Sequence, residues 1–176
     1  MRPTMYVLVG LPGAGKTDRA RELEVGQRAL RLTPDEWMMP LFGEPEADGR
    51  RDILEGRLVC LALRALRLGI SVVLDFGVWA KDERSALRSL AIDAGAACEL
   101  VYLPVGEVEQ WRRLDVRLQD ASSGAFELQP DDLQRFRAQF DEPDEDELAG
   151  AESAPVPAGY PSWRAWADER WPTSMA

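Results

Sequence analysis

The sequence contains no histidine, two cysteines and two lysines in 176 residues. Without histidine, a general base would have to be a carboxylate or an unusual group. Two cysteines argue against a structural zinc site, which needs four cysteine or histidine ligands, and we expect Cys60 and Cys98 to be reduced core residues. Long apolar runs are also missing, both in the chain and at its N-terminus, so we expect a cytoplasmic protein with no membrane contact.

Positive charge is scarce as well. The chain has 21 Lys and Arg residues against 31 Asp and Glu residues, which gives a net charge of −10. This balance argues against the broad basic surface that duplex nucleic acid requires. The acid is partly clustered, with six of its residues in Asp141–Glu147, so a short local basic groove is still compatible with the composition. Such an acidic block is typical of a solvated tail or linker.

One of the two lysines, Lys16, completes a glycine-rich segment at residues 10–17 that matches the pattern G-x-x-x-x-G-K-[ST]. The apolar run before the segment predicts a buried strand, and the residues after it predict a helix. In such a loop, main-chain N–H groups point at phosphate oxygens, and the helix N-terminus adds positive partial charge. We predict that the nucleotide-binding residues are Gly10, Pro12, Gly13, Ala14, Gly15, Lys16 and Thr17. Lys16 would reach the β- and γ-phosphates, and the Thr17 hydroxyl would hold Mg²⁺.

Strand and helix signals alternate through the first two-thirds of the chain. Further strands are predicted at 28–32, 70–74 and 97–103, and further helices at 52–68, 81–94, 106–118 and 131–140. This alternation indicates βαβ units, and hence an α/β protein whose mostly parallel sheet is covered by helices on both faces. Together with the glycine-rich loop, it predicts a three-layer sandwich of the P-loop NTPase type.

The composition changes after the last predicted helix. We predict a P-loop domain over residues 1–142, a linker rich in Asp, Glu, Pro and Ala over 143–159, and a Trp-rich C-terminal segment over 160–176. The density of aromatic residues in that last segment favours its docking onto the domain. A peptide that binds a partner protein is the alternative.

Two carboxylates follow predicted strands. Since reactive groups gather at the carboxyl ends of the strands in such sheets, we expect Asp35 and Asp75 to lie near Lys16. Asp75 is predicted to bind Mg²⁺ directly or through water, with an ordinary turn residue as the alternative. Asp35 is the candidate catalytic base, because a carboxylate beside Lys16 and Mg²⁺ would stay ionised. Its alternative role is the N-cap of the next helix, although Thr33 could cap that helix instead.

The order and spacing of these motifs resemble the small P-loop kinases of the zeta toxin, chloramphenicol phosphotransferase and polynucleotide 5′-kinase group. The similarity extends over about residues 4–140 and rests on the glycine-rich loop, Thr33–Trp37, Val72–Trp79, Trp111–Arg113 and Arg117. It implies phosphoryl transfer from ATP with Mg²⁺ to a hydroxyl group, with Asp35 as the base. It also implies an arginine-bearing lid over 113–129, in which Arg113 and Arg117 clamp the transferring phosphate.

The lid arginines have an alternative role as a solvated basic face, paired with nearby aspartates. The sequence also departs from the group at Leu118, where many relatives have asparagine, and its lid has few basic residues for a polyanionic acceptor. We therefore predict a kinase acting on a small or medium-sized alcohol, with Lys16, Asp35, Arg113 and Arg117 as catalytic residues. The alternatives are a kinase acting on the 5′-hydroxyl of a polynucleotide, and an ATP-dependent switch with weak hydrolysis that docks a partner protein.

Overall fold

The computed structural model describes residues 2–44, 47–119, 130–150 and 154–175, and for 117–119 and 130–132 it describes the backbone alone. Within these ranges the chain forms four strands and eight helices. In order they are β1 (Thr4–Val9), α1 (Lys16–Gln27), β2 (Leu30–Leu32), α2 (Asp35–Phe42), α3 (Arg50–Arg67), β3 (Val72–Leu74), α4 (Lys81–Asp93), β4 (Ala97–Tyr102), α5 (Glu107–Gln119), α6 (Pro130–Gln139), α7 (Glu145–Leu148) and α8 (Trp163–Arg170). None of the described helices is long and apolar enough to cross a membrane.

The four strands form one parallel sheet in the order β2-β3-β1-β4. In the register, Val7 of β1 lies opposite Leu74 of β3 and Leu100 of β4. Parallel pairing brings the carboxyl ends of β1, β2 and β3 to the same edge of the sheet. The predicted α/β class and parallel sheet are confirmed.

Helices cover the two faces of the sheet unequally. One face carries α1, whose Ala20 and Leu23 pack against Leu8 of β1. The other face carries the larger core, formed with α3, α4 and α8. Burial of apolar surface in this second core supplies most of the hydrophobic stabilisation, at about 25 cal/mol per Å².

The C-terminal segment contributes to the larger core. Trp163 and Trp171 are buried in it, and Trp166 packs between them at ring-centroid distances of 5.7 and 6.0 Å. The chain then crosses α3 so closely that a Cβ atom on Gly56 would lie 2.9 Å from the carbonyl oxygen of Trp171. This approach requires glycine at position 56, because any side chain would displace the segment.

The acidic block differs from the solvated linker expected there. Glu147 binds Arg84 of α4, with Nε 2.8 Å from Oε1, and its carbonyl oxygen accepts from Arg88 Nη2 at 2.7 Å. Asp144 accepts from Lys81 Nζ at 2.5 Å. The block follows the basic face of α4 because the two surfaces have opposite charge, and the buried Arg84 guanidinium would otherwise have the carbonyl oxygen of Trp79 but no carboxylate as a partner.

Strand β2 is shorter than predicted. Arg28 ends α1 in the left-handed conformation, with φ of 52°, and its N–H donates to the carbonyl oxygen of Glu24. That cap occupies the residues that were expected to begin the strand, so pairing with β3 starts only at Leu30. The bounds of the helices predicted at 52–68, 81–94, 106–118 and 131–140 agree with the structure to within two residues.

Candidate active site

The glycine-rich segment links β1 to α1 as a tight loop. Gly13 and Gly15 adopt φ of 82° and 91°, a conformation that costs little for glycine and much for other residues. The N–H of Ala14 donates to the carbonyl oxygen of Leu11 at 3.1 Å, which closes the turn. The loop therefore has the backbone geometry that a phosphate-binding loop needs.

Lys16 is the first residue of α1, and its side chain folds over the loop. Its Nζ atom donates to the carbonyl oxygens of Gly10, at 2.8 Å, and Leu11, at 3.1 Å. Thr17 follows in the first turn of the helix. The ammonium group and the helix N-terminus thus place positive charge on the same side of the loop.

Asp75 directly follows β3 and is buried. Its Oδ2 atom accepts from Arg31 Nη1 at 2.8 Å. Burial raises the pKa of Asp75; Arg31 and Lys16 oppose this rise, and Asp35 adds to it. The charges of Lys16 and Asp35 therefore influence Asp75, in agreement with the position of all three residues after adjacent parallel strands. Their chemical roles stay predictions.

Arg31, which the sequence did not single out, joins the elements around Asp75. Its side chain, 8% exposed, lies on β2 and also contacts Glu24, at 3.4 Å, and Glu36 of α2. One guanidinium therefore connects α1, α2 and the end of β3. In the sequence, the only indication of this role was a charged residue inside a short predicted strand. The partners of Arg31 depend on the strand order, which the sequence does not give.

Asp35 is the first residue of α2 and is 68% exposed. Pro34 occupies the N-cap position, and no side chain caps the helix, so neither Asp35 nor Thr33 has the alternative capping role. Instead, Asp35 Oδ1 lies 2.9 Å from Nη2 of Arg51 on α3. Arg51 Nε in turn lies 3.2 Å from Oε1 of Glu55. The carboxylate is thus accessible to a ligand and is held from the side of α3.

Helix α5 brings one of the two lid arginines to the loop. Nη1 of Arg113 lies 3.4 Å from the carbonyl oxygens of both Gly13 and Ala14. Its Nε atom donates to Glu109 at 2.6 Å, and the hydrogen bonds from Arg112 and Arg113 lower the pKa of Glu109 to about 2. A guanidinium at this position can reach a phosphate bound in the loop.

The second lid arginine is only partly described. Arg117 lies one turn beyond Arg113 in α5, and its side chain falls outside the described residues. Residues 120–129, which make up most of the predicted lid, lie outside them too. The clamping role of Arg117 and the lid itself therefore stay predictions.

Gln110 is a second contact between α5 and the loop that the sequence did not reveal. Its side chain is fully buried, and Nε2 donates to the carbonyl oxygen of Pro12 at 2.9 Å. Leu114 packs beside Gly13, 3.3 Å from the position of a Cβ atom. Gln110, Arg113 and Leu114 share one helix face by their spacing. That spacing was visible in the sequence, but the element that this face contacts was not.

A cleft of about 280 Å³ borders the loop at Leu11. Its other walls are the segment after β4, Arg137 near the C-terminal end of α6, and Phe140 directly after that helix. Arg137 Nη2 donates to the carbonyl oxygen of Val105 at 3.1 Å and so spans the two walls. A ligand held by the loop would find here a surface with both apolar groups and a guanidinium.

Comparison with known proteins agrees with this geometry. A family model described as an AAA domain matches residues 5–143. No curated protein matches the chain. Among solved structures, the chain is similar to a protein from Chloroflexus aurantiacus that is assigned as a kinase, with 19% identity and a TM-score of 0.66 over 81% of this chain and 79% of the other.

Two further structures have the same fold. One is the APS kinase of Mycobacterium tuberculosis in complex with AMPPNP and APS, with 18% identity and a TM-score of 0.59 over 82% of this chain and 85% of the other. The other is a gluconokinase from Sinorhizobium meliloti 1021, with 17% identity and a TM-score of 0.57 over 99% of this chain and 90% of the other. The fold of this chain is therefore that of small P-loop kinases.

Proposed function

Because the chain belongs to the AAA domain family, we propose that it is a phosphotransferase that moves the γ-phosphoryl group of ATP to a hydroxyl of a small or medium-sized acceptor. The observation that carries this proposal is that Lys16, Asp75 and Asp35 follow three adjacent parallel strands, β1, β3 and β2, whose carboxyl ends lie at one edge of the sheet. The kinases of similar fold support it, since one of them holds an ATP analogue together with its small acceptor. ATP is therefore the proposed donor.

The proposed donor site is the loop and the start of α1. The main-chain N–H groups of residues 13–17 would bind the phosphate oxygens, and Lys16 would bind the β- and γ-phosphates. Arg113, already against the carbonyl oxygens of Gly13 and Ala14, would move a short distance to the transferring phosphate. Guanidinium groups at that position stabilise the charge of the transition state.

The residues present fit Mg²⁺. Thr17 offers a hydroxyl oxygen, and Asp75 offers Oδ1, because its Oδ2 is bound by Arg31. Hard oxygen ligands of this kind are those that Mg²⁺ prefers, and it commonly takes only one or two from the protein and the rest from phosphates and water. When bound, the ion would neutralise charge on the phosphates.

Asp35 is the proposed catalytic base. Its carboxylate is exposed at the sheet edge, and Arg51 holds one of its oxygens at 2.9 Å. An acceptor hydroxyl that donates to the other oxygen would lose its proton to Asp35 as its oxygen bonds to the γ-phosphorus and the bond from that phosphorus to ADP breaks. The base must be a carboxylate or an unusual group in any case, because the chain has no histidine.

The test is a screen for ATP consumption with metabolites and with 5′-hydroxyl oligonucleotides, in which Asp35→Asn serves as the blank. We expect one class of small alcohol to stimulate turnover, and Asp35→Asn to lower it by about 10²- to 10⁴-fold, the usual contribution of a general base. Binding of Mg·ADP, measured by calorimetry, should stay within about twofold of wild type. Undiminished turnover by Asp35→Asn would contradict the assignment of the base, and transfer to the oligonucleotide alone would replace the small acceptor by a 5′ end.

A further inference from the structure

The cleft beside the phosphate loop lies on the same face of the sheet as the helix that contacts Asp35. Its walls include the aromatic rings of Tyr102 and Phe140, which stack at a centroid distance of 6.2 Å. Both rings pack against the larger core, which contains α3 and α4, whereas α1 packs on the opposite face. Arg51, which contacts Asp35, is on α3. The cleft is therefore on the acceptor side of the loop, and the proposed donor site is on the side of α1.

Helix α6 connects the cleft to the segment that follows β3. Phe136 of α6 packs against Trp79 at a ring-centroid distance of 5.1 Å, and the N–H of Asp141 donates to the carbonyl oxygen of Trp79 at 3.1 Å. On the side of β4, Arg137 donates to the carbonyl oxygen of Val105. Because β3 and β4 flank β1 in the sheet, these contacts bracket the carboxyl end of β1, where the phosphate loop begins.

Arg137 gives the cleft a positive charge that is not paired with a carboxylate in the part of the chain that the structure describes. Its guanidinium has one hydrogen bond there, from Nη2 to the carbonyl oxygen of Val105 at 3.1 Å, and its Nε atom is buried without a partner. By contrast, Arg31, Arg84 and Arg170 each contact a carboxylate. Carboxylates and phosphates are the strongest partners of a guanidinium group. An anionic ligand is therefore favoured beside Arg137.

Glu142, the one carboxylate among the residues that line the cleft, limits the charge that a ligand can carry. Its Oε1 atom accepts from the Tyr102 hydroxyl at 2.8 Å. Burial and this hydrogen bond raise the pKa of Tyr102 to about 12, so the hydroxyl stays protonated at neutral pH. Glu142 would repel a polyanion, whereas its second oxygen can accept from a hydroxyl of a ligand that has one anionic group. The volume of about 280 Å³ is also that of a small-molecule site.

We propose that this cleft binds the far end of the acceptor, and that Arg137 holds a single carboxylate or phosphate group there. The inference rests on the proposed function and narrows its acceptor to a small alcohol that carries one anionic group. The carboxyl ends of β2 and β4 lie three strand spacings apart, or about 14 Å. The Asp35 carboxylate after β2 takes up part of this distance, and a small hydroxy acid can span the rest.

The test compares alcohols that differ in the anionic group. Gluconate is paired with sorbitol, in which a CH₂OH group replaces the carboxylate, and glycerol 3-phosphate is paired with glycerol. Calorimetry with saturating Mg·ADP measures binding, and consumption of ATP measures kcat/KM. We expect a charged alcohol to bind and to exceed its uncharged partner in kcat/KM by about 10- to 100-fold, the contribution of one charge-assisted hydrogen bond. The pair that shows this preference distinguishes a carboxylate from a phosphate.

Three variants test whether the preference comes from Arg137. Arg137→Met removes the charge, Arg137→Lys keeps it, and Arg164→Met, at an exposed position of α8, is the control for net charge. Arg137→Met should lower kcat/KM for the charged alcohol about 10- to 100-fold and change that for its uncharged partner by less than about twofold. Arg137→Lys should keep part of the preference, and Arg164→Met all of it. The affinity for Mg·ADP should stay unchanged in all three, because the donor binds on the side of α1.

A further variant serves if Arg137→Met does not fold. Gly106→Phe adds a side chain at the edge of the cleft, where a Cβ atom meets no other atom within 4 Å. It should weaken binding of the charged alcohol at least about fivefold while Arg137 and the affinity for Mg·ADP stay unchanged. Wild-type binding by a folded Gly106→Phe would place the ligand outside the cleft and overturn the inference.

The two proposals fail in different ways. The acceptor subsite is wrong if no charged alcohol binds, if wild type uses the uncharged partner equally well, or if the preference survives in Arg137→Met. It is also wrong if Arg137→Met weakens binding of Mg·ADP instead, because the cleft would then belong to the donor. The proposed function fails separately if Asp35→Asn keeps full turnover. Binding of the charged alcohol through Arg137, which calorimetry measures without turnover, would still hold in that case.

Discussion

The phosphate loop and the surroundings of Asp35 lie at the same edge of the sheet but are built differently. The loop is a continuous segment whose working parts are main-chain groups, and Lys16 binds two carbonyl oxygens of that same segment. Asp35 is held instead by a side chain from another element, Arg51 of α3, which in turn contacts Glu55 of the same helix. The first region depends on glycine and backbone geometry, and the second depends on a balance of buried charge.

This difference separates binding from positioning. Main-chain N–H groups are removed only by substitution to proline, so the loop should keep its shape when its neighbours change. A charge network has no such protection, because the loss of one cation leaves buried carboxylates without compensation. We therefore expect substitutions around the loop to change nucleotide affinity, and substitutions around Asp35 to change kcat and the pH dependence of stability.

Among substitutions in the loop, the largest effect should come from Lys16, the one side chain of the loop that would carry charge to the phosphates. Lys16→Met should reduce turnover about a thousandfold, which is the upper end of the loss of one preorganised donor in a transition state. Its melting temperature without nucleotide should stay close to that of wild type, since the loop is closed by main-chain bonds. Thermal denaturation without nucleotide and an assay of ATP turnover measure the two effects. If Lys16→Met kept the turnover of wild type, the loop would not need Lys16, and the comparison between the two regions would be contradicted.

The same difference explains how much the sequence could predict. The loop was predictable because all of its residues are contiguous, and the parallel sheet because strand and helix signals alternate. The proximity of Asp35 and Asp75 followed from a rule about strand ends, without knowledge of the strand order. No such rule gives the partners of these carboxylates. Arg31 reaches Asp75 only because β2 pairs with β3.

The contacts of the acidic block Asp141–Glu147 could not be predicted from composition alone. Seven residues rich in Asp and Glu suggest a solvated segment, yet Asp144 and Glu147 bind α4. The basic residues of α4, Lys81, Arg84 and Arg88, recur at helical spacing and form a matching face, which the sequence contains but does not connect to the block. Complementary charge between distant segments can be recognised only when the fold brings them together.

A second prediction tests the charge network through stability. The pKa of Glu55 is raised to about 7 in the folded protein, so between pH 4.5 and 7 the folded state binds a proton more tightly than the unfolded chain. The contribution of this group to the free energy of unfolding is fully present below about pH 4.5 and is lost as the pH rises through 7. At 1.36 kcal/mol per pKa unit, the loss is about 3 kcal/mol.

Glu55→Gln should remove this dependence. Urea unfolding at a series of pH values would then show wild type losing about 3 kcal/mol relative to the variant between pH 4.5 and 7.5. Glu22→Gln, at an exposed position of α1, is the matched control and should follow wild type. Parallel curves for wild type and Glu55→Gln would mean that the charge of Glu55 does not differ between the folded and unfolded states. Burial would then not raise the pKa of Glu55, and the predicted charge balance around Arg51 would be wrong.

The smallest effect is expected where a side chain supports the loop from outside. Gln110→Met keeps the buried volume but removes the donor to the carbonyl oxygen of Pro12, which should weaken Mg·ADP binding by about 1 kcal/mol, or roughly fivefold. The effect is expected to be modest because the main-chain N–H groups that would bind the phosphates stay in place. Calorimetry measures it, with Gln139→Met, exposed on α6, as the control. If Gln110→Met instead abolished binding, the loop would owe its shape to α5 and not to its own backbone, and the contrast with the charge network would disappear.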